Sequence, residues 1–350
     1  MSTEALKRAG GTLQVLAALG ADVNTPDKDG ATPVYAAAQK GHTETVQTLH
    51  ALGADVNTPN KNGATPVYVA AEKGHTETVK ALGALGGNIN TPKRGGYTPV
   101  FIAAQNGHTA TVEALHGCGA DVNTPNNNGA TPVCIAAAKG HTATVQALHV
   151  CGANVNTAEK NGATPVYIAA QNGHTATIQA LAALGADVNT AKNDGVTPVC
   201  IAAAKGHTAT VQALHALGAD VNTAMKNGAT PVCSAAWAGH TATVQALSTL
   251  GADVNTPHND GRTPVYIAAE KGHVETVQAL QALDADINGA KCLARARKQT
   301  EVLKLLNSVR GCPMYSRPCF QCSLNDRSCG CVSCATCFPC AVACPFLPPP

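Results

Sequence analysis

Between residues 27 and 290 the apolar positions of this chain fall into two short clusters, and the pair of clusters returns every 33 residues. The stretch 159–190, EKNGATPVYIAAQNGHTATIQALAALGADVNT, shows the pattern most fully. Val166, Ile168, Ala169 and Ala170 predict a short helix whose small-residue flank lets a neighbour approach closely. Thr164 offers a hydroxyl to cap it, and Pro165 suits its first position, where no N–H is needed. Gly173 ends it. A second helix is expected from about Thr175 to Leu184, with Ile178, Leu181 and Leu184 at the three-residue spacing of a buried stripe. Gly185 supplies the left-handed residue that closes this helix, and Asn161-Gly162 reads as a tight turn. Neither helix can stand alone, since isolated helices below ~12–15 residues are marginal in water.

Thr-Pro pairs mark the period at Thr32, Thr65, Thr98, Thr131, Thr164, Thr197, Thr230 and Thr263. Gly-His pairs mark it again at Gly41, Gly74, Gly107, Gly140, Gly173, Gly206, Gly239 and Gly272. The 33-residue period, with TPVYIAA or TPVCIAA followed by GHTATVQAL and GADVN, resembles the ankyrin repeat and its T-P-L-H-x-A signature. The resemblance covers roughly residues 9–306 and implies an all-α helix-turn-helix solenoid with β-hairpin-like tips on one edge. Two departures stand out. Tyr35, Phe101, Cys134 and their equivalents replace the signature His, and Thr45 and His50 sit where the family usually places Ile and Leu.

A globular chain of 350 residues would ordinarily hold two or three domains. A repeat array escapes that count, because each unit buries its face only on its neighbours. The resulting division is a capping half-repeat at 1–26, eight repeats at 27–290, a second capping half-repeat at 291–310, and a Cys- and Pro-rich tail at 311–350. In the first cap, Leu13, Leu16 and Leu19 match the buried stripe of the second helix, while Glu4, Lys7 and Arg8 give a polar outer face. The unit at 80–97 is the deviant one: Gly83 is expected to interrupt its second helix, at ~1 kcal/mol relative to Ala. Gly83→Ala is accordingly expected to stabilise this unit.

Charged residues make up 13%, about half the usual ~25%, and the net charge is +2. The last sixty residues, 291–350, carry eight Lys/Arg against two Asp/Glu, and the rest carries 16 against 20. Neither part has the basicity of a phosphate-binding surface, so no nucleic-acid partner is expected. No apolar run of ~18 residues occurs, and MSTEALKRAGG lacks the apolar core of a secretory leader. A cytoplasmic, monomeric chain without a transmembrane segment is the expectation.

Eight of the 13 histidines belong to the Gly-His pairs. Stacked helices lie about 8–10 Å apart, whereas zinc needs each nitrogen near ~2.0–2.1 Å, so equivalent histidines cannot share an ion. The resemblance implies instead that this His bonds to backbone between repeats. His50, His116, His149 and His215 form a second ladder, expected to be partly buried. Cys118 with Cys151, and Cys200 with Cys233, stand one period apart, too far for a disulfide, and are expected to behave as small apolar residues. The tail holds nine of the 15 cysteines. There the CxxC pairs Cys319/Cys322 and Cys331/Cys334 form a compact candidate zinc site. The competing readings of the tail are thiol acylation at a membrane, a disordered low-complexity segment, and a faulty end to the sequence.

No phosphate loop and no nucleophile motif is found, so the chain is expected not to be an enzyme and to need no cofactor outside that tail. By resemblance, its function is that of a protein-binding scaffold or adaptor, gripping an unknown protein in a concave groove. The alternative is a zinc-binding or acylated tail carried by an inert array. Candidate contact residues are those before each Gly-His pair, Gln39, Glu72, Gln105, Gln171, Trp237 and Glu270, together with the tip residue Arg94. Among them Trp237, the one tryptophan, is the expected hot spot.

Overall fold

The computed structural model describes residues 18–296, together with 14, 15, 301, 302, 304 and 305. The chain divides into two compact units, Met1–Asn193 and Asp194–Pro350. In the first unit the helices come as pairs: Pro33–Gln39 with Thr43–Ala51, Pro66–Lys73 with Thr76–Ala84, Pro99–Gln105 with Thr109–Gly117, Pro132–Lys139 with Thr142–Val150, and Pro165–Asn172 with Thr175–Ala183. The second unit holds Pro198–Ala204 with Thr208–Ala216, Pro231–Ala238 with Thr241–Thr249, Pro264–Lys271 with Val274–Ala282, and then Asn288–Ala296. That last helix packs on Pro264–Lys271 as a first helix packs on its predecessor.

Each first helix starts as its sequence dictates. The Thr164 hydroxyl accepts the Tyr167 N–H at 3.2 Å, and Pro165 occupies the first turn. Gly173, at φ +75°, ends the helix in the left-handed conformation. The second helix, Thr175–Ala183, stops one residue short of the expectation. Leu184 has left the helix and is only half-buried, so the buried stripe is Thr177, Ile178 and Leu181. Ala186 and Val188, beyond the turn, are buried in its place. Alanines such as Ala70 and Ala71, with no exposed surface, give the close helix approach that the small-residue flank foretold.

The tips are turns, and the described residues contain no strand, only an isolated antiparallel bridge between Lys93 and Tyr97. Asn60 N–H reaches Ala64 O at 2.9 Å within one tip, and Lys61 N–H reaches Asp29 O at 3.0 Å in the tip before it. Side chains bind the loops as well. The Asn57 amide donates to Gly86 O at 3.1 Å, and its oxygen accepts the Asn88 N–H at 2.7 Å. This Asn of the GADVN segment recurs in the same role at Asn90, Asn123, Asn156 and Asn222. The Asp two residues earlier is folded back on its own turn. At Asp55 hydrogen bonds from the Thr58 hydroxyl and the Asn57 N–H hold the carboxyl below its ordinary range.

Thr45 and its equivalents are the polar residues in apolar places, and the structure explains them. Thr78, 1% exposed, meets the Thr43 hydroxyl of the preceding repeat at 2.8 Å. The pair repeats at Thr76 with Thr111, Thr109 with Thr144, and Thr142 with Thr177. In the second unit it joins Thr208 to Thr243 and Thr241 to Thr276. A buried hydroxyl without a partner would cost roughly 1–3 kcal/mol. In these six pairs the buried hydroxyl has its partner in the neighbouring repeat.

Three expectations are corrected. Leu19 is 79% exposed and so forms no buried stripe, while Leu13 and Leu16 lie outside the described residues. His116 and His149 are exposed, whereas His50 and His215 are half-buried, each with an Nδ1 that has no hydrogen-bond partner. Finally, Thr76–Ala84 runs through Gly83 without a break. A methyl group added at Gly83 would lie 2.7 Å from Cys118 Sγ and 3.2 Å from its Cβ. The glycine thus makes room for the next repeat.

Gly83→Ala should therefore lower stability, because overpacking of ~1–3 kcal/mol exceeds the ~1 kcal/mol gained in helix propensity. Urea denaturation of the single variant, and of the same change in a Cys118→Ala background, will show a smaller loss when the sulfur is absent. An equal loss in both backgrounds would dissociate the effect from Cys118.

Candidate functional site

The histidine of each Gly-His pair begins the second helix but does not cap it with its ring. The ring turns to the repeat before. His75 Nε2 donates to Gln39 O, His108 to Glu72 O and His141 to Gln105 O, each at 3.1 Å. His174 reaches Ala138 O at 3.0 Å, and in the second unit His273 reaches Trp237 O at 3.1 Å. The Gly of the preceding repeat's pair is required by this approach. A Cβ at Gly41 would stand 2.7 Å from the His75 ring, and its φ of +71° is open mainly to glycine.

The acceptors of these bonds are the backbone carbonyls of the candidate contact residues. Gln39, Glu72 and Gln105 therefore share one register of the first unit, with the backbone engaged and the side chains at the surface. Gln39 and Gln171 are exposed, and Glu72 and Gln105 are half-buried. Arg94 is exposed on its tip, and its neighbour Lys93 lies 5.4 Å from the Tyr68 ring centre. Burial, with Glu72 nearby, pushes the Tyr68 phenol up to about 12.

The second unit departs most from this uniform pattern. Trp237 stands in the last turn of Pro231–Ala238, 58% exposed, with Lys271 Nζ 4.9 Å from the ring centre. Beside it lies a pocket of about 350 Å³, walled by Trp237, Cys233, Ser234, Met225, His258 and Arg262. Ser234 lines this pocket together with Trp237, and it replaces the Ile or Val that most repeats carry there. Ser234 is buried and its hydroxyl donates to Thr230 O at 3.0 Å.

Arg262 stands where the other repeats have Ala, Val or Tyr. Its guanidinium binds Asp260 and Glu270, both at 2.7 Å, so Glu270 enters the site as half of an ion pair. The Arg262 hydrogen bond holds the Asp260 carboxyl down at about 2, helped by the charge of nearby His258. Sequence reasoning passed over Arg262. Its signal was a lone charged residue in a column of small apolar ones.

Burial pushes up the thiols of Cys134, Cys200 and Cys233, with Cys200 at about 11. Their sulfurs point to backbone carbonyls: Cys233 Sγ lies 3.7 Å from Thr256 O. They are small packing groups rather than activated nucleophiles. Cys319, Cys322, Cys331 and Cys334 lie outside the described residues. Among the described residues no cluster of His, Cys, Asp or Glu could hold a metal ion, and no helix is long and apolar enough to cross a membrane.

The family model for ankyrin repeats (3 copies) matches residues 4–93, 84–154, 100–192, 133–225, 179–258 and 199–291. With paired short helices in both units and the Gly-His ring bonded to backbone, the chain belongs to the ankyrin-repeat family. No curated protein matches it.

Two outcomes follow. His141→Ala should cost about 1–3 kcal/mol, because the Gln105 carbonyl loses its donor, and a urea midpoint unchanged from wild type would remove this bond from the interactions holding the repeats. For Asp260, the folded value of about 2 lies below the ordinary 3.8. The stability it contributes is thus present above about 3.8 and is lost as pH falls through about 2. Carboxyl NMR should find the Asp260 midpoint near 2 in the wild type and displaced toward 3.8 in Arg262→Ala. The same midpoint in both would assign the shift elsewhere.

Proposed function

We propose that this chain is a non-catalytic scaffold that binds a partner protein across the surface carrying the ends of the first helices, with Trp237 as its anchor. Ankyrin repeats are generally protein-interaction modules, and that supports the class. The observation that carries the anchor is the 58% exposure of the one Trp, in a register where the sister residues are Gln, Glu or Ala. Exposed indole gains little for the fold, and interface hot spots are enriched in Trp. The partner is a protein rather than a nucleic acid, since 24 Lys and Arg against 22 Asp and Glu leave no basic surface excess.

Once a partner is isolated on the full chain, Trp237→Ala should weaken its binding by ~2 kcal/mol or more and leave the melting temperature nearly unchanged. Calorimetric titration and a thermal melt check both halves. Lost stability with retained affinity would make the ring a packing residue and end the anchor reading.

A further inference from the structure

The pocket beside Trp237 has a cause that the repeat pattern identifies. Five repeats place an aromatic ring third in the first helix: Tyr35, Tyr68, Phe101, Tyr167 and Tyr266. Tyr35 shows what such a ring does, crossing from its helix to the following tip. Tyr35 is 8% exposed, and its hydroxyl accepts a hydrogen bond from the Asn60 amide in that tip at 3.1 Å. The residue equivalent to Asn60 one tip beyond Cys233 is His258, and both line the pocket.

Cys233 is too short to cross this space and turns its sulfur to Thr256 O instead. Cys134 makes the same turn, to Thr157 O, but there Ile135 and Ile168 pack around it with Phe101. At Cys233 the adjacent position is Ser234, so the ring and the branched aliphatic are both missing. Ala204, where three repeats carry Gln, trims the near wall further. The result is a vacancy with the position of an aromatic ring.

The chemistry of the walls favours the same occupant. Met225 and Ile267 contribute apolar surface, and Trp237 contributes its indole. Much of the polar lining is already engaged: Ser234 with Thr230 O, Arg262 with Asp260 and Glu270, His258 Nδ1 with Asp260 at 3.1 Å, and the Asn227 oxygen with Ala229 N–H at 3.0 Å. A charged guest would have to break these bonds. A ring need not, and the lining offers it an indole and a guanidinium, both groups that attract aromatic rings.

We infer that this pocket receives a tyrosine or phenylalanine side chain of the partner protein, which replaces from outside the ring that five sister repeats supply from within. The inference rests on the scaffold reading for its biological sense, but it is testable without the partner. Trp237 is the only Trp, so its fluorescence reports on this pocket alone. The probe is p-cresol, the side chain of tyrosine, compared with isopentanol as an aliphatic control.

The wild-type chain should show a saturable change in Trp237 emission with p-cresol, and bind isopentanol at least about tenfold more weakly. Cys233→Tyr and, as an independent filling, Ser234→Ile should each weaken p-cresol by about tenfold or more, with a cooperative urea transition showing that the variant is folded. No saturable change in the wild type, equal binding of the two probes, or undiminished p-cresol binding in whichever filled variants fold would overturn the inference. If p-cresol binds as expected while Trp237→Ala leaves a partner's affinity intact, the anchor reading fails and the pocket stands. If p-cresol fails while Trp237→Ala weakens the partner, the pocket assignment falls and the scaffold reading stands.

Discussion

A helix of seven to nine residues does not hold itself together in water, so every repeat of this protein depends on what crosses to its neighbour. The most constrained of these crossings is the bond from a histidine ring to a carbonyl 36 residues earlier. It fixes the period, because an inserted residue between ring and carbonyl would carry the donor out of reach. It fixes the glycine, because no side chain fits against the ring. It also explains why the second helices start without a side-chain cap. The group that could have capped them is spent on the neighbour.

Two further ladders supply what apolar packing does not. Two of the buried positions in each first helix are alanine, which brings helices close but removes little apolar area from water per residue. The Thr–Thr and Asn–loop bonds run beside this thin core in both units. Each satisfies a group that burial would otherwise penalise, and each works only between repeats of equal length. Near identity of the repeats is thus a condition of the bonding scheme. It also accounts for a composition poor in charge: Thr, Asn and His do structural work through hydrogen bonds at fixed distances.

What the chain revealed in advance was whatever lies within one repeat. The Thr-Pro start, the glycine stop and the closing Gly185 are local, and each is found where the residue type demands it. What it withheld depends on atoms 33 to 36 residues away. Thr45 looked like a flaw in a hydrophobic stripe until the equivalent Thr78 was seen facing Thr43. Gly83 looked like a broken helix until Cys118 was found 2.7 Å from where its Cβ would be. Leu184 fits the spacing of the stripe, but spacing cannot tell that the helix ends one residue before it. At the candidate site, Trp237 was legible as an oddity in its column. The pocket was not, because it arises from three small residues, Ala204, Cys233 and Ser234, that no single column makes conspicuous.

The same constraint determines where such a chain can vary. Two residues before each Gly-His pair the backbone carbonyl belongs to the ladder, while the side chain takes no part in that bond. Gln39, Glu72 and Trp237 all accept the histidine bond at 3.1 Å, whether the side chain is an amide, a carboxylate or an indole. Structure there is written in the main chain, which leaves the side chain free to be selected by contact with something else. Inside the repeat the reverse holds: Cys in place of Tyr is tolerated only because its thiol finds a carbonyl, and the space it vacates remains. A uniform array can therefore become specific at one point by two kinds of change, a large residue where only the backbone matters and small ones where a ring had been. In this protein both kinds meet at Trp237.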